Sequence, residues 1–118
     1  MIKKLDISKV IYILIIILVF ISSQAFGQIT ATHFNAEWNA SNSVDWFMDL
    51  KECNTKGLTD IGKQPEEAKK YKIAVVPTII IFKDGEEVAR FQADLSFKML
   101  ATREEVQEEI DSQLMSDF

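Results

Sequence analysis

The stretch VVPTIIIFKDGEEVARF, residues 75–91, constrains the fold more than any other part of the chain. Thr78 to Phe82 is apolar after its threonine, the pattern of a strand covered on both faces. Asp84-Gly85 follows, a pair suited to the tight turn of a β-hairpin. Beyond it Val88, Arg90 and Gln92 alternate with Ala89, Phe91 and Ala93, which predicts an antiparallel partner strand. A hairpin whose inner strand is apolar throughout needs a layer on each side.

Those layers are legible on either side of it. ITATHFNA, Ile29 to Ala36, is β-branched and aromatic and ends at a polar cluster, which suits a strand. Asn42 with Asp45 three residues on resembles a helix N-cap with its reciprocal acid. The helix predicted there places Val44, Phe47 and Met48 on one face, with Trp46, Leu50 and Cys53 beside them, and ends near Asn54 and Gly57. LTDIG, 58–62, reads as a short strand. Pro65 opens a further helix with Glu66 and Glu67 early and Lys69, Lys70 and Lys72 late, complementing the helix dipole. Thr102 and Glu105 form a capping box ahead of Val106, Ile110 and Leu114. The order β-α-β-α-β-β-α predicts an α/β domain, a small mixed sheet with helices on both faces, joined by a right-handed crossover.

The N-terminus has a separate character. MIKKLDISK is basic, Val10 to Ile21 is an apolar run, and SSQAFGQ offers small residues for cleavage after Ala25 or Gly27. This is the order of a secretory signal over 1–27, followed by a domain over 28–118. The alternative is an uncleaved anchor, which would be the chain's only link to a membrane. The expected location is periplasmic or secreted from a Gram-negative bacterium, or membrane-anchored and facing the periplasm. Without Lys3, Lys4, Lys9 and Asp6 the net charge moves from −5 to about −7, which argues against nucleic acid as a partner. Cys53 is the one cysteine, so no disulfide forms within the chain. No metal or cofactor motif is present.

HFNAEW followed by a helix, KKYKIAVVPTIIIFKDGEEV and the capped last helix resemble the thioredoxin-like superfamily over nearly all of the domain. The resemblance implies that fold with its first strand–helix unit missing or truncated. It sets Trp38 as the tryptophan before the active-site loop and Pro77 as the cis-proline after Val75-Val76. The family's Trp-Cys-Gly-Pro-Cys then becomes Trp38-Asn39-Ala40-Ser41-Asn42, with Asn39 and Asn42 in place of the redox dithiol. A buried acid of the family falls at His33, a tryptophan at Asn35 and a groove-lining glycine at Ala93.

Thiol–disulfide exchange needs a thiolate and a resolving thiol, and an amide is neither. The resemblance therefore implies a member without catalytic residues, a degenerate loop on a binding frame. Trp38, Val76, Pro77, Ala93, Phe97 and Met99 are the candidate peptide-binding residues. Free backbone groups beside Pro77 are expected to pair with an extended polypeptide, and the residues between Ser96 and Thr102, SFKMLA, to flank that groove. A single protein partner is the other expectation, as is a homodimer through an exposed edge strand at 58–62, flanked by Lys56 and Lys63. The competing enzymatic reading is a thiol–disulfide oxidoreductase or redox-homeostasis protein acting through Cys53. Simpler readings stand beside these. Asn39 to Asn42 cap a helix, His33 is a hydrogen-bonded core histidine, and Cys53 is packed and inert. Asn39-Ala40-Ser41 also matches a glycosylation sequon.

Overall fold

A computed structural model describes residues 6–22 and 27–116, with the backbone alone for 17–22. Helix α1, Ile7–Ser22, carries the apolar N-terminal run, and its side chains from Ile7 to Ile16 are exposed. At 1.5 Å per residue its sixteen residues span about 24 Å, short of the roughly 30 Å apolar core of a bilayer. Among the described residues no helix is long and apolar enough to cross a membrane. The expected cleavage region falls largely on residues 23–26, outside the described residues.

Four strands follow: β1 Ile29–Asn35, β2 Thr55–Asp60, β3 Thr78–Lys83 and β4 Glu86–Gln92. They lie in the order β2-β1-β3-β4. β1 runs parallel to β2 and antiparallel to β3, which pairs antiparallel with β4. A mixed sheet is the predicted class, but the parallel pairing expected of strand–helix–strand units holds only for β1 and β2; β3 runs opposite to β2 and lies beyond β1. β3 is buried from Thr78 to Phe82, as its apolar run requires. Asp84 and Gly85 close the hairpin with φ of 53° and 84°, the pair of left-handed residues that a two-residue turn needs. The Asp84 carboxylate also accepts the Gly27 and Gln28 amides at 3.2 and 3.1 Å, so the turn fixes where β1 begins.

Side-chain alternation divides the core. On one face Ile29 and Ala31 of β1 and Ile79 and Ile81 of β3 meet Val44, Phe47, Leu50, Val106 and Ile110. On the other Phe34, Ile80 and Phe82 meet Ile61, Tyr71 and Ile73. Helix α3, Arg103–Met115, covers the first face and opens with the complete Thr102–Glu105 capping box. Helix α2, Pro65–Lys70, ends at Tyr71, and Arg90 of β4 donates to the Tyr71 and Lys72 carbonyls at 2.6 and 3.1 Å. Layers thus stand on both faces, as expected.

Two expectations need correction. No α-helix forms between Asn42 and Asn54. Two 3-10 turns, Glu37–Asn42 and Phe47–Asp49, take its place. Val44, Phe47 and Leu50 are all buried, and a spacing of three is the 3-10 period, whereas Met48 is 53% exposed. Ser43 and Leu50 are extended and Glu52 has φ of 67°, so the chain cannot wind continuously. The strand expected at 58–62 runs from Thr55 to Asp60 instead, pairing with β1 along nearly its whole length. Gly62 lies in the turn beyond, its amide held by Asp60 Oδ1 at 2.8 Å.

Candidate functional site

The first 3-10 turn brings Trp38 to the surface, 67% exposed, and drives Asn39 inward to 3%. Asn39 Nδ2 donates to Asn35 Oδ1 at 3.1 Å, to the Phe97 carbonyl at 3.2 Å and to the Val76 carbonyl at 3.3 Å. Two N–H groups serve three acceptors, so one bond is shared. Asn39 Oδ1 accepts from Asn42 Nδ2 at 2.8 Å. Asn35 Nδ2 donates to the Asn39 carbonyl and to Ser43 Oγ, at 3.1 and 3.0 Å. Among the described residues no buried side-chain nitrogen or oxygen lacks a partner.

This network replaces the expected helix cap. Asn42 is the end of a 3-10 turn whose amide bonds to Asn39, and Asn39 is an interior cross-link. Its burial also leaves no room for a glycan on the sequon. The peptide bond between Val76 and Pro77 is cis. The Val76 carbonyl, expected to be free for an extended peptide, is taken by Asn39, and Val76, Pro77 and Ala93 are buried.

The segment after β4 closes over them. Ala93 pairs with Met99 in an antiparallel bridge, and Asp94 N–H donates to the Lys98 carbonyl at 2.9 Å. The Asp94 carboxylate accepts the Ser96 and Lys98 amides at 2.8 and 3.2 Å, and the Ser96 hydroxyl. These bonds, the Ser96 hydroxyl foremost, hold the Asp94 carboxyl below its usual range. Phe97, at φ of 64°, sets its ring edge-to-face with Trp38 at 5.1 Å. Met99 turns inward against the first core. Of the six candidate peptide-binding residues, only Trp38 and Phe97 face solvent. Leu95 and Leu100, in the same segment as Phe97, are 95% and 68% exposed, and sequence reasoning passed over Leu95 because nothing marked Asp94–Lys98 as a turn.

His33 is buried behind the loop. Its Nε2 accepts the Val44 amide at 3.2 Å, and its ring lies 5.4 Å from that of Phe47. Burial lowers its pKa, against a raising contribution from a bond to its own backbone. The folded state therefore favours neutral imidazole, whose Nε2 is the acceptor. His33 contributes stability that is fully present above about pH 6.5, its unfolded value, and is lost as pH falls through the lower folded value. His33→Gln, which keeps an acceptor but does not titrate, should flatten that part of the stability–pH profile in urea titrations. An unchanged profile would assign the acid loss to carboxylates alone.

Cys53 is half-buried beside the first core, its Sγ 3.8 Å from the Lys51 carbonyl. Burial pushes the thiol's pKa up, with Asp111 and Glu52 adding to the rise and Lys56 opposing it. The expectation of an unactivated thiol rested on a helix C-terminus that does not exist there; desolvation does the same work. Among the described residues no group of three or more His, Cys, Asp or Glu is placed to hold a metal ion.

The sheet order, the cis-proline beside the loop after β1 and the capped last helix define a thioredoxin-like fold, and the chain belongs to the thioredoxin-like superfamily. Schistosoma mansoni thioredoxin superposes on it with a TM-score of 0.60 and 25% identity, over 80% of this chain and 85% of that one. A mutant thioredoxin of Halobacterium salinarum gives 0.58 at 19% identity, over 75% and 76%. Nicotiana alata thioredoxin NaTrxh gives 0.54 at 19%, over 81% and 82%. In sequence, 44 residues are 50% identical to chloroplastic thioredoxin Y1 of Arabidopsis thaliana, covering 37% of this chain and 26% of that protein. The matched part is thus about a quarter of that relative's length. No established family pattern matches the chain.

Proposed function

We propose that this is an exported thioredoxin-fold protein that acts by contact, a non-catalytic protein- or peptide-binding module of the cell envelope. The observation that carries this reading is the state of Asn39. On the family's spacing Asn39 and Asn42 stand in place of the dithiol, and the Asn39 amide is buried and committed to Asn35, Val76 and Phe97. That position neither supplies a nucleophile nor admits one. What the site offers a partner is Trp38 and Phe97 in contact at the surface, with exposed Leu95 and Leu100 in the segment that carries Phe97. Exposed aromatics on a rigid support are the usual anchors of protein interfaces. The occupant is an extended polypeptide or a protein partner lying across this ridge rather than threading beside Pro77. The basic, then apolar, N-terminus would deliver the domain to the periplasm or beyond, or hold it there if retained.

The redox alternative rests on Cys53, which keeps partial access to solvent and the pull of Lys56. Insulin disulfide reduction separates the two. The chain should reduce insulin no faster than its Cys53→Ser variant, and clear cysteine-dependent turnover would overturn the contact reading. For binding, Trp38→Ala with Phe97→Ser should weaken capture of a reduced, alkylated polypeptide by about tenfold or more. Undiminished capture would move the site elsewhere.

A further inference from the structure

Among the described residues β2 ends the sheet on one side, with β1 on its inner edge and no strand on its outer edge. Unpaired edges are templates for further strands unless they are blunted. The opposite edge strand is blunted: β4 opens on Glu86-Glu87, its pairing with β3 shifts register at Ile81/Phe82, and it runs into the Ala93–Met99 turn. β2, Thr-Lys-Gly-Leu-Thr-Asp, has a regular register with β1 and no proline.

Its face pattern is specific. Lys56, Leu58 and Asp60 pair with Ala31, His33 and Asn35, so they share the face of the first core. Leu58 stands there 66% exposed, across a groove floored by Phe47 from Met48, which is 53% exposed. Thr55, Gly57 and Thr59 point to the other face.

We infer that the occupant of this edge is a second copy of the chain, added antiparallel about a two-fold axis at Leu58, to give one continuous eight-stranded sheet. In that register Leu58 faces Leu58, and Lys56 of each copy stands opposite Asp60 of the other. Registers centred on Lys56 or on Asp60 set like charges against each other instead. The strand is thus self-complementary in charge in the one antiparallel register that also joins its exposed apolar residue to its own image. The Lys56 ammonium already caps the Met48 and Leu50 carbonyls, which fixes its position, and it has one further proton to donate. Asp60 keeps Oδ2 beside the Oδ1 that holds the Gly62 amide. The apolar strip across the axis runs Met48, Leu58, Leu58, Met48. The inference does not depend on what the Trp38–Phe97 ridge binds.

Sedimentation equilibrium of the full chain in mild detergent should give twice the chain mass for the native protein and the single mass for Leu58→Asp. Because Leu58 is exposed in the single copy, the variant should keep the native circular dichroism spectrum. In a Cys53→Ser background, Leu58→Cys should cross-link on oxidation, and Val88→Cys on the opposite edge should not. A native chain of single mass, a Leu58→Asp chain that remains dimeric, or equal cross-linking from Val88→Cys would each overturn the inference.

Discussion

Asn39→Ala is expected to destabilise the domain by about 2–4 kcal/mol, more than alanine at any other position of the loop. The side chain is 3% exposed and its amide serves three acceptors on three segments. Removing it leaves the Asn35 oxygen and the Val76 carbonyl buried without a donor, and frees the turn that carries Phe97. For a domain of this size each kcal/mol lowers the melting midpoint by roughly 4–8 °C. Asn39→Asp should be worse than alanine near neutral pH: Asn42 would still donate to one carboxylate oxygen, but the other would face the three acceptors that Nδ2 now serves. Asn42→Ala loses one bond at a half-buried position and should cost about 1 kcal/mol. An Asn39→Ala midpoint within two degrees of the native one would mean that the network does not hold the loop. The same geometry bears on function: cysteines placed at 39 and 42 should not yield a working dithiol, since the first would be sealed beneath Phe97.

Phe47→Ala should cost about 3–5 kcal/mol, the range for deleting a buried aromatic side chain. Phe47 is 1% exposed and packs among Val44, Leu50, Val106 and Ile110. Its neighbour Met48 is the control: truncated to alanine in the Leu58→Asp background, which keeps the proposed Met48–Leu58 strip out of the comparison, it should stay within about 0.5 kcal/mol of that background. An α-helix with both residues inward would make the two truncations comparable. Urea unfolding with an unchanged slope is the measurement. Similar costs for both would mean that the 3-10 course of this segment is wrong.

What could be read in the chain beforehand was whatever a single segment decides. The hairpin needed only the apolar run of β3 and the Asp84-Gly85 pair. The last helix needed only Thr102 and Glu105 to meet three residues apart. Positions 44–54 resisted because Val44, Phe47, Leu50 and Met48 fit a helix of either period locally. The choice fell to the interior, which accepts the first three and has no place for the fourth. The surface around Trp38 resisted for a related reason. Trp38, Val76, Ala93 and Phe97 were named individually, but whether they leave an open groove depends on a turn formed 58 residues after Asn39.

Sequence by itself settled the class of the domain, the β3–β4 hairpin and the absence of a dithiol from the loop, because strand period, turn chemistry and residue identity are local properties. Tertiary structure alone decided that the amides of that loop bond to one another in the interior and that Val76 is covered. Those outcomes are set by which distant segments compete for the same carbonyl or the same buried volume, and no single stretch of sequence contains both competitors.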